Sequence, residues 1–211
     1  MTVKSAIPGL CFDVDQSMTS AEGNEFFKAG YLACGRYLPR TPALVKGNLT
    51  ALEIQVLLTA GLSIFCVQHC PEPGWAPSAA LGTLYGGYAA GYAKAIGLPP
   101  GMVVWDDLEM VADGTPAWAV IDYCNAWFSS VNAAGYIPGL YVGYNVVLTP
   151  EQLYLHLPFK HYWRAYNGPD VAKRGYQIIQ ETQQTLNGIA FDPNRTQIDE
   201  LGDSAIWLSP D

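Results

Sequence analysis

The feature that most constrains this chain is its alternation of short apolar runs with longer amphipathic segments, separated by Gly, Pro or Asn. The runs are LCFDVD (10–15), YLACGRYL (31–38), LSIFCVQH (62–69), MVVWDDLE (102–109), IPGLYVGYN (137–145), HYWRAY (161–166), GYQIIQET (175–182) and IAFD (189–192). Helical segments lie between the early ones, beginning near Ser20, Thr50, Ser78 and Thr115. Thr50 with Glu53 reads as a capping box, and Gly30, Gly61, Gly97 and Gly135 stand where a helix C-terminus favours glycine. Such alternation implies parallel strands joined by crossover helices, in either an open doubly wound sheet or a closed β/α barrel.

Two observations favour the barrel. The first strand is followed by DVDQSMTS, which offers acids and hydroxyls instead of a Gly-rich phosphate loop. Polar residues also recur at the carboxyl ends of the strands: Asp13 and Asp15, Arg36, Gln68 and His69, Asp107 and Glu109, Asn145, Tyr166, Gln180 and Asp192. In a β/α barrel those ends converge on one face. The gaps from Tyr166 to Gly175 and from Thr182 to Ile189 are too short for a helical crossover. The expected fold is therefore α/β: a single modified TIM-like β/α barrel over residues 1–211, with shortened, loop-connected last units, some antiparallel. The tail DSAIWLSPD is expected to add an edge strand or to close the barrel floor.

With 11 Lys+Arg against 19 Asp+Glu, the formal charge is −8 and no block of like charges occurs. This excludes a general nucleic-acid binder, which needs a basic surface. No run is long and apolar enough for a membrane span, and MTVKSAIPGLCFDVD lacks the apolar region of a secretory signal. The expectation is a monomeric protein made in the cytoplasm. The five cysteines are an odd number, and most are expected to be buried thiols. Cys66, His69 and Cys70 match no zinc-ligand spacing, so neither a metal nor a cofactor is expected.

The chemistry concentrates in VVWDDLEMV (103–111). Alternation puts Val103, Trp105, Asp107 and Glu109 on one face, with the apolar pair deep in the barrel and the acids at its mouth. Asp106 then faces the helix layer and is structural. Two carboxylates this close repel, so one holds its proton to higher pH. A neutral acid beside an ionised one is the division of labour in glycoside hydrolysis. Asp13 and Asp15 share a face of the first strand, whose Phe12 and Val14 pack outward, and Asp192 ends the final strand beside it. An acidic cluster could instead hold a divalent metal. Tyr37, Trp75, Tyr141, Tyr144, Trp163 and Tyr166 are core by default, although aromatics at strand ends also suit sugar stacking.

The ordered set FDVD, DLE, GLYVGYN, WRAY, IIQET and FDPN resembles the family 25 glycoside hydrolases, the lysozymes of phages, bacteria and fungi. The segments AGYLACGRYLPR, NLTALEIQVLLTAGLSIFCV and SAALGTLYGGYAAGYAKAIGLPPGMVVWDDLE are more similar still to a related group. That group is the glycoside-hydrolase-like domains numbered 1906 among domains of unknown function, also described as Rv2525c-like. The resemblance implies a modified β/α barrel with shortened last units. It implies Glu109 as general acid and Asp107 as its assisting carboxylate, with Asp13 and Asp192 completing the catalytic set. Asp15 stands where the lysozymes often have Ser, which adds negative charge.

The function expected is hydrolysis of peptidoglycan or a related glycan at the cell wall, by a phage endolysin or an exported effector. Tyr141, Trp163 and Tyr166 are expected to line the sugar cleft, with Asp15, Gln68 and Gln180 as further binding residues. The alternative is a catalytically silent barrel that binds glycan or serves as a structural part of a phage particle or cell envelope. A metal-dependent hydrolase on the same acids is a third reading.

Overall fold

The computed structural model describes residues 1–211. In chain order its elements are β1 (Thr2–Ser5), β2 (Gly9–Asp13), α1 (Ser20–Lys28), β3 (Ala33–Leu38), α2 (Ala51–Thr59), β4 (Ser63–Gln68), α3 (Ala79–Ala95) and β5 (Val103–Leu108). There follow α4 (Ala117–Ala133), β6 (Ile137–Val142), α5 (Pro150–Leu155), β7 (His161–Arg164), β8 (Ile178–Gln180), β9 (Gln184–Leu186), β10 (Ile189–Thr196) and β11 (Ile206–Ser209).

Strands β2 to β8 pair in parallel in the sequence order β2-β3-β4-β5-β6-β7-β8. Strand β10 closes the ring, antiparallel to both β8 and β2. The molecule is thus a closed β/α barrel of eight strands, the fold its sequence pattern implied. No helix separates β7 from β8 or β8 from β10. The first of these loop connections still joins parallel strands; only the second reverses direction.

Period-two alternation divides the core into two compartments. Inside the barrel lie Cys11, Ala33, Phe65, Val67, Val103, Trp105, Trp163 and Ile178. Between barrel and helices lie Phe12, Cys34, Ile64, Cys66, Val104 and Leu108 with the apolar faces of the helices. Phe12 stacks on Phe26 of α1 with ring centroids 3.9 Å apart, so it packs outward as the sequence implied. Helices α3 and α4 approach closely because Gly82 and Gly86 carry no side chain. A Cβ on Gly86 would fall 2.7 Å from the Trp127 carbonyl oxygen. The tail forms β11, which lies between β1 and β4 and so is not an edge, and its Trp207 packs with Ala6 and Ala205 into the inner core.

The helix ends show where local signals held and where tertiary contacts displaced them. Gly30, Gly61, Gly97 and Gly135 all adopt positive φ directly after a helix C-cap. Thr50 caps α2 by accepting from the Glu53 amide, but the Glu53 carboxylate does not return to Thr50. It accepts instead from Arg36 Nε at 2.7 Å and from the Met18 amide at 2.8 Å. Thr19 with Glu22 and Thr149 with Gln152 form the complete boxes. The second of these begins α5, a short helix that the sequence reading left unassigned.

Candidate active site

The carboxyl ends of the parallel strands form one mouth. At the end of β2, Asp13 is fully buried and accepts three side-chain hydrogen bonds: from Asn194 Nδ2 at 2.7 Å, Tyr37 Oη at 2.9 Å and Gln180 Nε2 at 3.2 Å. Burial, reinforced by the Asp192 charge, pushes its carboxyl up to about 7 even though the three donors oppose the rise. Asp192 is the cross-strand partner of Asp13 in the β10–β2 register. Gln180 Oε1 in turn accepts from Tyr141 Oη at 2.8 Å, and Asn194 Oδ1 from Trp163 Nε1 at 2.8 Å. Two of the three donors around Asp13 are thus themselves fixed by a neighbour.

The second acidic group comes from β5. Asp107 is 6% exposed and its Oδ1 has no hydrogen-bond partner. Glu109 lies one residue past the strand, half-buried, where it accepts a 3.6 Å contact from the Cys70 thiol. Burial raises both carboxyls, and the Glu109 charge raises Asp107 further. The backbone at Glu109 is pinned on both sides. Trp75 Nε1 donates to its carbonyl at 2.9 Å, and the next residue, Met110, holds φ +53° while its amide bonds the Tyr144 carbonyl at 2.7 Å. Left-handed backbone at a residue with a side chain costs about 1–3 kcal/mol and persists only where surrounding contacts impose it.

The two acidic groups approach one another around Tyr141, whose Oη donates to the Gln180 side chain that in turn donates to Asp13. Tyr141 feels the charges of Asp107, Glu109, Asp13 and Asp192 together, and Asp192 also acts on Glu109. One groove at this end is lined by Asp13, Asp15, Gln16, Tyr37, Gln183 and Asp192. A second is lined by Arg40, His69, Cys70 and Glu72. The grooves adjoin because Tyr37 and His69 stack with centroids 4.5 Å apart.

Several residues named from the sequence lie elsewhere. Gln68, the last residue of β4, and Arg36, two residues before the end of β3, face the helix side and not the mouth. Gln68 is buried, donating to the Tyr85 and Pro39 carbonyls and accepting from Trp127 Nε1. Arg36 is buried against Glu53 and the carbonyls of Val14 and Gly47. Trp163, 1% exposed, belongs to the inner core with Phe65 and Trp105 and has no free face for a sugar. Asp15 lies beyond β2 on the surface and faces His69 Nε2 at 3.3 Å, so it does not stand beside Asp13 on the strand. Tyr141 and Gln180 are nearly buried walls of the mouth, whereas Tyr166 is 58% exposed just past β7. Asp106 faces the helix layer and accepts from Tyr123 Oη at 3.1 Å.

Asn194, Cys70 and Gly143, where an added Cβ would run into the Glu109 side chain, are site residues that the sequence does not single out. Asn194 follows Asp192 by two positions and therefore shares its face. Cys66 faces the helix layer, away from Cys70, and all five cysteines are free.

The comparisons agree with this architecture. The chain superposes on the Mycobacterium tuberculosis Tat-secreted protein Rv2525c, solved in complex with HEPES, with a TM-score of 0.68 and 17% identity over 90% of this chain and 95% of that one. It superposes on the catalytic domain of endolysin ply40 from bacteriophage P40 of Listeria monocytogenes with a TM-score of 0.62 and 17% identity, over 92% and 95% of the two chains. The Streptococcus pneumoniae autolysin LytC, in complex with a synthetic peptidoglycan ligand, gives 0.62 and 13%, over 90% of this chain and 47% of that one. At these identities the likeness is one of fold. No curated protein sequence matches the chain. A family model does match, over residues 24–204, and the chain belongs to the Rv2525c-like, glycoside hydrolase-like domain family.

Proposed function

We propose that the protein is a peptidoglycan hydrolase of the muramidase type, cleaving the β-1,4 bond between N-acetylmuramic acid and N-acetylglucosamine at the bacterial cell wall. The observation that carries this reading is the Asp107–Glu109 pair, two carboxyls raised by burial at the mouth of a glycoside-hydrolase-like barrel. Of the two, Glu109 is the one a substrate can reach, because Asp107 is almost wholly enclosed.

In this mechanism Glu109 gives its proton to the glycosidic oxygen as the bond to C1 breaks. The positive charge that develops on the sugar ring is stabilised by the remaining carboxylate charge of Asp107, Asp13 and Asp192, or by the substrate's own acetamido group. Water then adds to C1 and returns a proton to Glu109. Tyr166 and Tyr144, 58% and 63% exposed beyond β7 and β6, offer ring faces for sugars along the cleft. The exposed Asp15 borders the groove beside Asp13 and can accept from sugar hydroxyls.

The reading is tested by loss of turbidity of a peptidoglycan suspension, followed by mass spectrometry of the released muropeptides. Wild type is expected to release fragments with N-acetylmuramic acid at the reducing end. Fragments cut only in the peptide stem would overturn the assignment.

A further inference from the structure

Cys70, Asp107 and Glu109 each offer one ligand atom, and the three atoms lie within 4.8 Å of one another. Two of them already have the spacing of a coordination edge. Zinc binds sulfur at about 2.3 Å and carboxylate oxygen at about 2.0 Å, so a tetrahedral centre sets sulfur and oxygen about 3.5 Å apart. The Cys70 Sγ to Glu109 Oε1 separation is 3.6 Å. The other two separations also lie within 4.8 Å.

A second observation points to a ligand independently of the clustering. Asp107 is more than nine-tenths buried, yet its Oδ1 accepts no hydrogen bond. A buried carboxylate oxygen without a partner is costly, and a cation supplies the missing one. By contrast Asp13, as deeply buried, has three donors and needs no ion.

We propose that Cys70, Asp107 and Glu109 form a binding site for one thiophilic divalent cation, with Zn²⁺ the preferred ion, and that its occupancy switches off the glycosidase. A thiolate among two carboxylates favours zinc over magnesium or calcium, which take all-oxygen sets. Binding replaces the Cys70 S–H bond by a sulfur–metal bond and the O–H bond of protonated Glu109 by an oxygen–metal bond, and releases both protons to solvent. It also occupies Glu109, which can then no longer carry a proton to the glycosidic oxygen. The inhibitory half rests on Glu109 being the general acid as proposed above; the binding half does not.

Cobalt, a spectroscopic stand-in for zinc, is titrated into the metal-free full-length protein. The expected result is a thiolate-to-cobalt charge-transfer absorption that saturates at one equivalent and is erased by one equivalent of zinc but not by excess magnesium. Cys70→Ser removes the band, and Asp107→Asn weakens zinc binding at least about tenfold. A zinc-soaked crystal provides a check that needs no variant, with an anomalous peak expected among the three side chains. Absence of the band, or its survival in folded Cys70→Ser protein, overturns the site, as does a zinc peak elsewhere. In the turbidity assay, zinc is expected to stop lysis and a chelator to restore it. Lysis unaffected by zinc that is bound at the site overturns the switch. Zinc binding without any lysis in metal-free protein would leave the site standing and bring down the hydrolase reading instead.

Discussion

Gly143, the residue after β6, lies so close to Glu109 that a Cβ placed on it would fall 2.5 Å from the Glu109 Cβ and 3.0 Å from the Tyr141 ring. The glycine's contribution here is space, and the space belongs to the carboxyl proposed as the general acid. Gly143→Ala is expected to keep the fold while pushing Glu109 out of line. Displacements near 1 Å cost about 100-fold in rate, so kcat for peptidoglycan should fall by that order with an unchanged far-ultraviolet circular dichroism spectrum. Wild-type turnover in the folded variant would show that Glu109 does not need its observed position.

Asp106 and Asp107 are adjacent in β5 but belong to different compartments, one under helix α4 and one at the mouth. Burial pushes the Asp106 carboxyl to about 7, from an ordinary value of 3.8. Because the folded value is the higher, the native state favours the protonated form. Stability from this group is therefore complete below about pH 4 and is lost as the pH rises towards 7. Asp106→Asn cannot ionise. Its stability relative to wild type should increase between pH 4 and pH 8 by about 4 kcal/mol in urea unfolding. A stability difference independent of pH would contradict the burial argument.

The Arg36–Glu53 pair is enclosed, and it ties β3 to α2 and to the loop that follows β2. Arg36→Ala leaves the Glu53 carboxylate buried without its charge partner, which typically costs about 3–5 kcal/mol. Chemical denaturation should show a loss of that size. A change below about 1 kcal/mol would mean that Glu53 finds water or another donor.

Gln68 separates structural from functional polarity at strand ends. Its amide bridges β4 to α3 and α4 through Tyr85 and Trp127. Gln68→Ala should destabilise the protein by about 2–3 kcal/mol, as expected for hydrogen bonds lost inside a core. The KM and kcat of the folded fraction should remain those of wild type. A rise in KM with stability unchanged would return Gln68 to the substrate cleft.

The eight barrel strands and four long helices were legible in the sequence because each strand is a bounded apolar run and each helix ends in a glycine. What escaped has physical causes. Strand β4 is buried along its whole length, so no alternation of apolar and polar residues marks which face Gln68 takes. Helix α5 is only six residues long, although Thr149, Pro150 and Gln152 announce its start. Strands β1 and β9 are short and largely exposed, without an apolar face to reveal them. The Glu53 capping bond gave way to an ion pair with Arg36, a residue whose direction depends on strand parity. At the site, alternation did separate Asp106 from Asp107 and Glu109. Cys70 reads from the sequence only against its neighbours Cys66 and His69, whose spacing fits no zinc site; the acids it meets, Asp107 and Glu109, are distant in sequence and reach it only when β4 and β5 pair.

If Glu109 delivers the proton as proposed, the initial rate of peptidoglycan solubilisation separates wild type from Glu109→Gln at equal folded concentration, with metal removed. Clear lysis is expected from wild type and a loss of at least about 100-fold in the variant, the size expected when a general acid is removed. Equal rates for the two proteins would contradict that role.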